Sequence, residues 1–297
     1  VDRSLPHLFL FDAVRRALPR AYVDLAFFPP RHDRERLEQA GVPLLTGTQS
    51  LRPIQDFDLV LVSNAYTLEL INLPYLLLRS NIPPLASQRD ERYPPILLGG
   101  SNAMASQAVV TEDGDGLVDG IFFGEGEEWV GPLVRSLWES RDLPKRERLA
   151  RAAAQVRGLW VAGPHPHPFA GRSPAGDGGE VHKAVLAVPR AEHLPVDYPL
   201  LPGAEAGTVR LQITYGCPAL CSFCFEGYDR RPYREVALKD LLETARRLKR
   251  EHGAETIELY SFNFNTHRDI LTMLFDLSRI FDRVGLKSQR VDILYRT

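Results

Sequence analysis

Every cysteine of this chain falls within one short stretch. Cys217-Pro218-Ala219-Leu220-Cys221-Ser222-Phe223-Cys224 has the spacing C-x3-C-x2-C, and the 297 residues hold no other cysteine. Pairing any two of the three leaves an odd thiol, so the stretch is no disulfide framework. Thiolates are the preferred ligands of iron–sulfur clusters. Three of them on one loop hold three irons of a [4Fe–4S] cube and leave the fourth iron open to a substrate or cofactor. Gly216 and Pro218 help such a loop turn tightly around a compact inorganic core. Two alternatives stand beside this one. A tetrahedral zinc site wants four ligands, and the nearest downstream histidine is His252. The three cysteines can also be buried simply as small apolar side chains.

The cysteine loop directly follows an apolar run, Val209-Arg210-Leu211-Gln212-Ile213-Thr214, that reads as a strand. Beyond the loop, Leu238 to His252 reads as a helix with Leu241, Leu242, Ala245 and Leu248 on one face and Gly253 as its C-cap. Thr256–Tyr260 reads as a strand, Arg268 to Val284 as a helix ended by Gly285, and Val291–Tyr295 as a third strand. Sites on such β/α arrays sit at the carboxyl ends of the strands.

The region ahead of it alternates in the same way. A helix opens at Pro6, with Leu8, Phe11, Val14 and Leu18 at helical spacing. Strands are expected at 21–28, 57–63, 95–99 and 120–124, and helices around 68–78 (bent or restarted by Pro74) and 127–140. Strands alternating with helices imply a doubly wound parallel sheet. The expected organisation is a Rossmann-like domain at 1–141, a Pro/Gly-rich connector at 142–206, and the start of a (β/α) barrel at 207–297. The connector holds a charged helix from Pro144 to Gln155, short strands at 159–162 and 181–188, and the runs 163–168 and 171–179.

C-x3-C-x-aromatic-C after a barrel's first strand, with Phe223 as the aromatic, resembles the hallmark of the radical S-adenosylmethionine superfamily. The resemblance implies that Cys217, Cys221 and Cys224 hold a [4Fe–4S] cluster whose open iron is chelated by the methionyl amine and carboxylate of S-adenosylmethionine. One-electron reduction then releases a 5′-deoxyadenosyl radical. It also implies cofactor contacts at Phe223, Gly227, Ser261 and Asn263. Many members carry a Gly-Gly-Glu-like stretch after the second strand; here that place reads Tyr260-Ser261-Phe262-Asn263-Phe264-Asn265, with no glycine pair. Asn265 or Thr266 also suits an N-cap for the following helix. Arg231 and Arg234 are candidates for a bidentate carboxylate or phosphate contact, or a solvated lead-in to a helix.

The first region resembles the cobalamin (B12)-binding domain found ahead of the barrel in one group of these proteins. The likeness rests on a strand ending in Ser63, on Gly99-Gly100-Ser101-Asn102, and on Gly124-Glu125-Gly126 opening a helix. It extends to Arg231-Pro232-x-Arg234-Glu235 and Arg290-Val291-Asp292. Paired glycines at strand ends let a flat ligand approach the backbone. No Asp-x-His-x-x-Gly motif is present, and His32 lies in Arg31-His32-Asp33-Arg34. The domain therefore either binds cobalamin without a histidine ligand or keeps only the fold. Glu125, Glu127 and Glu128 argue against a phosphate at that helix start.

A formal net charge of −2 excludes a general basic field for nucleic acid, and no apolar run reaches the roughly 18 residues of a membrane span. A cluster that needs reduced thiolates, with no signal segment in view, sets the expectation of a cytoplasmic protein served by a reductant such as flavodoxin or ferredoxin. The substrate, small or macromolecular, is not encoded in these motifs. Competing readings are cobalamin-dependent methyl transfer, an electron-transfer iron–sulfur protein completed by a fourth cysteine, and a zinc-stabilised interaction module. The chain begins at Val1 and holds two methionines, which suggests a trimmed start. Only 80 residues follow Cys217 (297 − 217), too few to close a barrel of about 200 residues or more. The expectation is a partial TIM barrel truncated after its third strand and inactive alone.

Overall fold

Three short aliphatic runs pair in parallel to start the first sheet of the computed structural model, which describes residues 5–163, 181–199 and 207–296. The strands β1 (Val60–Ser63), β2 (Ile96–Gly99) and β3 (Gly120–Phe122) lie in sequential order, with Ser63 opposite Gly99. A fourth strand, β4 (Leu159–Val161), pairs antiparallel with β3. The expected all-parallel sheet thus carries one antiparallel edge, because the chain returns from two helices alongside β3 in the opposite sense.

Alternation along these strands sends apolar side chains to both faces. Val60, Val62, Ile96, Leu98, Ile121 and Trp160 share one core, and Leu61, Leu97, Phe122, Leu159 and Val161 another. Ahead of the sheet lie α1 (Leu5–Ala17) and α2 (Arg31–Gln39). Leu70 from a 3-10 turn and Leu73 and Leu77 of α3 (Asn72–Leu78) join the first core. Leu133 and Leu137 of α4 (Val130–Glu139) and Leu149 and Ala152 of α5 (Lys145–Gln155) join the second. Pro74 sits in the first turn of α3, where its missing N–H costs nothing. The chain divides into two units, Ala13–Val185 and Val1–Asp12 with Leu186–Thr297. The segment 142–206 thus gives α5 and β4 to the first sheet; its residues 164–180 and 200–206 lie outside the described ones.

The second unit repeats strand and helix on a simpler plan. β5 (Thr208–Gln212) is followed by the short antiparallel pair β6 (Thr214–Tyr215) and β7 (Arg234–Glu235), which brackets α6 (Phe225–Asp229). Then come α7 (Leu238–His252), β8 (Thr256–Tyr260), α8 (Ile270–Leu277), β9 (Arg283–Gly285) and α9 (Val291–Arg296). β5, β8 and β9 form a parallel sheet in that order. Val209, Leu211, Ile257 and Leu259 are buried, as are Leu241, Ala245 and Leu248 of α7 and Met273 and Leu277 of α8. A leucine so buried stabilises by roughly 1.5–3 kcal/mol. The alternate positions carry Arg210, Gln212, Glu258 and Tyr260, so one face of this sheet is apolar and the other polar. Gly253 ends α7 in the left-handed conformation, φ 60°.

Four expected elements differ. Residues 21–28 form no strand: the Asp24 carboxylate accepts from the N–H groups of Gln49 and Ser50, which ties the run to a loop. Of the strand expected at 181–188, only Ala184 makes a bridge, to Gly124. The helix expected to reach 284 ends at Leu277, and Asp282 and Arg283 donate to the Glu255 carbonyl to begin β9. Residues 291–295 are helical, since the place beside β8 is already filled by 283–285. No helix among the described residues is long and apolar enough to cross a membrane.

A buried charge cluster ties the first sheet together. Asp119, just before β3, accepts from Arg89 Nη2 at 3.1 Å and from the Ile96 N–H at 2.9 Å. Lys145 Nζ lies 3.6 Å from the same carboxylate and donates to the Arg89 carbonyl at 2.7 Å. Arg89 and Asp119 side chains are 0% and 4% exposed, so removing one partner strands the other. Asp119→Ala is expected to lose about 3–5 kcal/mol in denaturant titration. A loss under roughly 1 kcal/mol, as for an exposed pair, would show the cluster to be dispensable.

Candidate functional site

Parallel register sets Gln212 opposite Tyr260, so the loops after β5 and β8 leave from adjacent carboxyl ends of one sheet. The β6–β7 pair, with Thr214 opposite Glu235 and Tyr215 opposite Arg234, closes the cysteine loop at its base. Gly216 turns there with φ 73°, and a Cβ would fall onto the carbonyl oxygens of Arg230 and Pro232. Arg234 is buried against backbone, donating to the carbonyls of Pro232 and Leu186. It holds the loop's base and is not a solvated lead-in. Arg231 is exposed and lies 5.3 Å over the Tyr228 ring.

Within the loop, the Cys224 N–H donates to the Cys221 carbonyl at 2.9 Å, and Cys224 stands at the N-terminal boundary of α6 without a side-chain cap bond. Leu220 takes a left-handed conformation, φ 45°, and its carbonyl accepts from Tyr228 Oη at 2.9 Å. Gly227 is buried against the Leu220 backbone, where a Cβ would meet ordinary contacts at 3.6 Å. All three cysteines are free and half-buried. Phe223 is 91% exposed.

The loop after β8 meets the cysteines. Asn263 Nδ2 donates to Cys217 Sγ at 3.3 Å. Ser261 Oγ is buried without a hydrogen-bond partner. Asn265 does not cap a helix: it exchanges two hydrogen bonds with the backbone of Arg290, at 2.7 and 2.9 Å. Thr266 Oγ1 donates to the Asn263 carbonyl at 2.7 Å, and Asp269 holds the cap position of α8. Arg290 in turn places Nη1 3.8 Å from Cys221 Sγ.

Below this layer, Tyr233 Oη donates to Glu235 Oε1 at 2.9 Å and lies 3.2 Å from Thr266 Oγ1. Burial pushes the Tyr233 phenol up, and Glu235 and Cys217 add to the rise against a lowering by Thr266. Burial also pushes the Glu235 carboxyl up, but hydrogen bonds from Arg268 and Tyr233 outweigh it and hold the group below its ordinary value. Arg268 Nε is 2.7 Å from Glu235 Oε2. Tyr233 and Arg268 do not stand out in sequence, and Glu235 enters only as part of the resemblance, because Thr266 and Arg268 meet Tyr233 and Glu235 from the loop after β8. Asn265 has the residue type of a cap and hides its clamp.

The candidates of the first sheet gather at its carboxyl edge. Asn64, 2% exposed, is the hub: it accepts from Asn102 Nδ2 at 2.9 Å and donates to the Tyr66 carbonyl at 2.9 Å. Ser63 pairs with Gly99 in register, and Ser101 Oγ lies 3.4 Å from the Ala65 carbonyl. Gly100 and Gly124 have φ of 107° and 112°, and the space of a Cβ is filled by the backbone of Asn64 and of Ala184. The Glu125 N–H donates to the Ala184 carbonyl at 2.9 Å, and the Gly126 carbonyl accepts from Val130 at the start of α4. These glycines serve crossings of the chain over itself.

Three soft thiolates on one loop, with donors at two of the sulfurs, fit an iron–sulfur cluster. Among the described residues, no three His, Cys, Asp or Glu side chains converge on one ion.

The family model of the N-terminal region of radical SAM proteins matches residues 9–162. A solved structure of the radical S-adenosylmethionine methyltransferase TsrM from Kitasatospora setae, with tryptophan substrate and a SAM analog bound, is similar over 94% of this chain and 49% of that one. Its sequence identity is 14% and the TM-score 0.52. A second TsrM structure, with cobalamin and a [4Fe-4S] cluster bound, covers the same shares at 14% identity and a TM-score of 0.51. At this identity the likeness is one of fold, and the chain spans about half the length of these structures. No curated protein matches the chain by sequence.

Because the folded Glu235 carboxyl titrates low, its contribution to stability is fully present above its unfolded value of about 4.3. That contribution is lost as pH falls through the lower folded value. In denaturant titrations through this acid window, Glu235→Gln is expected to show a shallower decline than the wild type. Identical pH slopes would show the Glu235 ion pair to be idle.

Proposed function

This chain belongs to the radical SAM proteins that carry the N-terminal region matched at residues 9–162, and on that premise we propose that Cys217, Cys221 and Cys224 hold a [4Fe–4S] cluster that binds S-adenosylmethionine. The observation that carries the reading is the set of three thiols on one loop at the carboxyl end of β5, two of them met by donors from the neighbouring loops. When bound, the cluster and S-adenosylmethionine supply one-electron cleavage of the sulfonium to a 5′-deoxyadenosyl radical.

The chain's own residues do the rest. Gly216 and the β6–β7 pair fix the loop, and Asn263 and Arg290 donate to ligand sulfurs. The unpartnered Ser261 hydroxyl at the end of β8 offers a hydrogen bond to a polar cofactor group. Phe223 offers an exposed apolar ring. On the polar face of the second sheet, Arg210 and Lys287 flank Glu258 at 3.2 Å each, so that face is already charge-paired. The protein's part is to position the cofactor and exclude water, while the cofactors carry the chemistry. A low-potential donor such as flavodoxin or ferredoxin would serve it.

Cobalamin-dependent methyl transfer is the second reading, supported by the fold likeness to TsrM across 94% of the chain. At the edge of the first sheet the Cβ space of Gly100 and Gly124 is filled by the chain itself. These glycines therefore offer no cradle for a flat ligand.

The test is anaerobic reconstitution of the full-length protein, with its barrel complete, with iron and sulfide. The wild type is expected to take up about four irons and to release 5′-deoxyadenosine when reduced with S-adenosylmethionine, while each of Cys217→Ala, Cys221→Ala and Cys224→Ala abolishes that release. Stoichiometric zinc without iron, or a loaded cluster that yields no 5′-deoxyadenosine, would overturn the reading. Retention of cobalamin with a methylated product would favour the second one.

A further inference from the structure

We propose that Arg290 sets the reduction potential of the cluster by holding a fixed positive charge against the Cys221 sulfur. This rests on the reading that the three cysteines hold a cluster, and it assigns a tuning role to a residue outside the ligand set.

Arg290 is held at both its backbone and its side chain. Asn265, 8% exposed, binds the Arg290 carbonyl and N–H together, at 2.7 and 2.9 Å. Asp292 takes one edge of the guanidinium in a bidentate pair, through Nε at 2.9 Å and Nη2 at 2.8 Å. The nitrogen left over, Nη1, is the one 3.8 Å from Cys221 Sγ. A planar guanidinium held by a bidentate pair on one edge, on a backbone clamped by Asn265, aims its remaining nitrogen with less entropy left to lose. Asp292 cancels the net charge of the pair at long range. Close to the sulfur the positive end of the pair still dominates, because the carboxylate binds the opposite edge.

Reduction adds one electron from a low-potential donor to the cluster, and no bond forms or breaks. Part of the added charge falls on the ligand sulfurs, so a cation or N–H donor there stabilises the reduced form more than the oxidised one. Asn263 acts on Cys217 in the same sense at 3.3 Å, but through a neutral amide. Charge-assisted hydrogen bonds are about twice as strong as neutral ones, so Arg290 carries the larger effect.

The experiment is a redox titration of the reconstituted full chain, with dithionite as the electron source and the reduced cluster read by its electron paramagnetic resonance. Arg290→Gln is expected to make reduction about tenfold less favourable, a fall of ~59 mV for a one-electron couple. Arg290→Lys should lie between it and wild type, and Asn263→Ala should shift less than Arg290→Gln. Arg283→Gln removes the same charge from the opposite end of β9, where Arg283 pairs with Glu255 and Thr256, and should leave the potential unchanged. A loaded Arg290→Gln protein with a wild-type potential would overturn the proposal. So would an equal shift in Arg283→Gln, or failure of both Arg290 variants to take up iron, which would make the residue structural. A wild type that forms no cluster instead defeats the functional reading on which the proposal stands.

Discussion

The β5–β8 pairing is the constraint on which the site depends. Five residues of each strand lie in parallel register, from Thr208 opposite Thr256 to Gln212 opposite Tyr260. Parallel strands have their carboxyl ends on the same side, so the cysteine loop and the Ser261–Thr266 loop emerge together. A slip of one residue would turn the apolar pair of the slipping strand, Val209 and Leu211 or Ile257 and Leu259, away from the helices and bring Arg210 or Glu258 into the apolar layer. The register is therefore held by burial on one face and by the Arg210–Glu258 ion pair on the other. The contact between Asn263 and Cys217 depends on that alignment, although the two residues are far apart in the chain.

The loops themselves are held by hydrogen bonds from side chains to backbone as well as by buried apolar residues such as Phe264 and Tyr215. Arg234 binds two carbonyls at the base of the cysteine loop, and Asn265 clamps Arg290. Such bonds contribute about 1 kcal/mol each, but they fix direction as well as distance. That suits a site whose ligands must face an inorganic core, because a loop packed only by apolar contacts keeps more freedom of rotation. The first unit meets a different demand. There the Arg89–Asp119–Lys145 cluster is buried within the fold, and no predicted site residue belongs to it.

What was legible in the sequence follows from what is local. The strands β1, β2, β3 and β8 and the helices α1, α4, α5 and α7 each carry their own periodicity and flanking turn residues. The cysteine spacing is local too. The failures arise where tertiary pairing decides. Met273, Leu277 and Phe281 are all buried at a spacing of four, and the period runs on past the end of α8. Residues 21–28 have strand composition but no partner strand, because Asp24 binds the 47–52 loop instead. Val291–Tyr295 has the residue types of a strand, yet β9 has already taken the open side of β8. In the site, the three thiols stand out by their spacing, whereas Asn263 enters only through the resemblance as a cofactor contact, and the structure puts its amide at the Cys217 sulfur. Arg290 was visible only as part of a resemblance, since its partners Asn265 and Cys221 lie 25 and 69 residues away.

Glycine at the carboxyl end of a parallel strand is commonly taken as a mark of ligand approach, and this chain qualifies the inference. At Gly100, Gly124 and Gly216 alike, the missing Cβ makes room for the chain's own carbonyl groups. In each case the glycine shows that two segments cross closely, not that anything is bound. The functional content comes from what the crossing carries. At Gly100 and Gly124 it brings together the Asn64 network and the Ala184 bridge, which satisfy backbone groups inside the fold. At Gly216 it closes a loop that carries three thiols to the edge of a sheet, beside donors that a buried apolar cysteine would not require. Fold alone does not separate these cases. The separation lies in the side chains on the crossing segments, and the Gly216 loop carries three thiols, whose chemistry exceeds what folding needs.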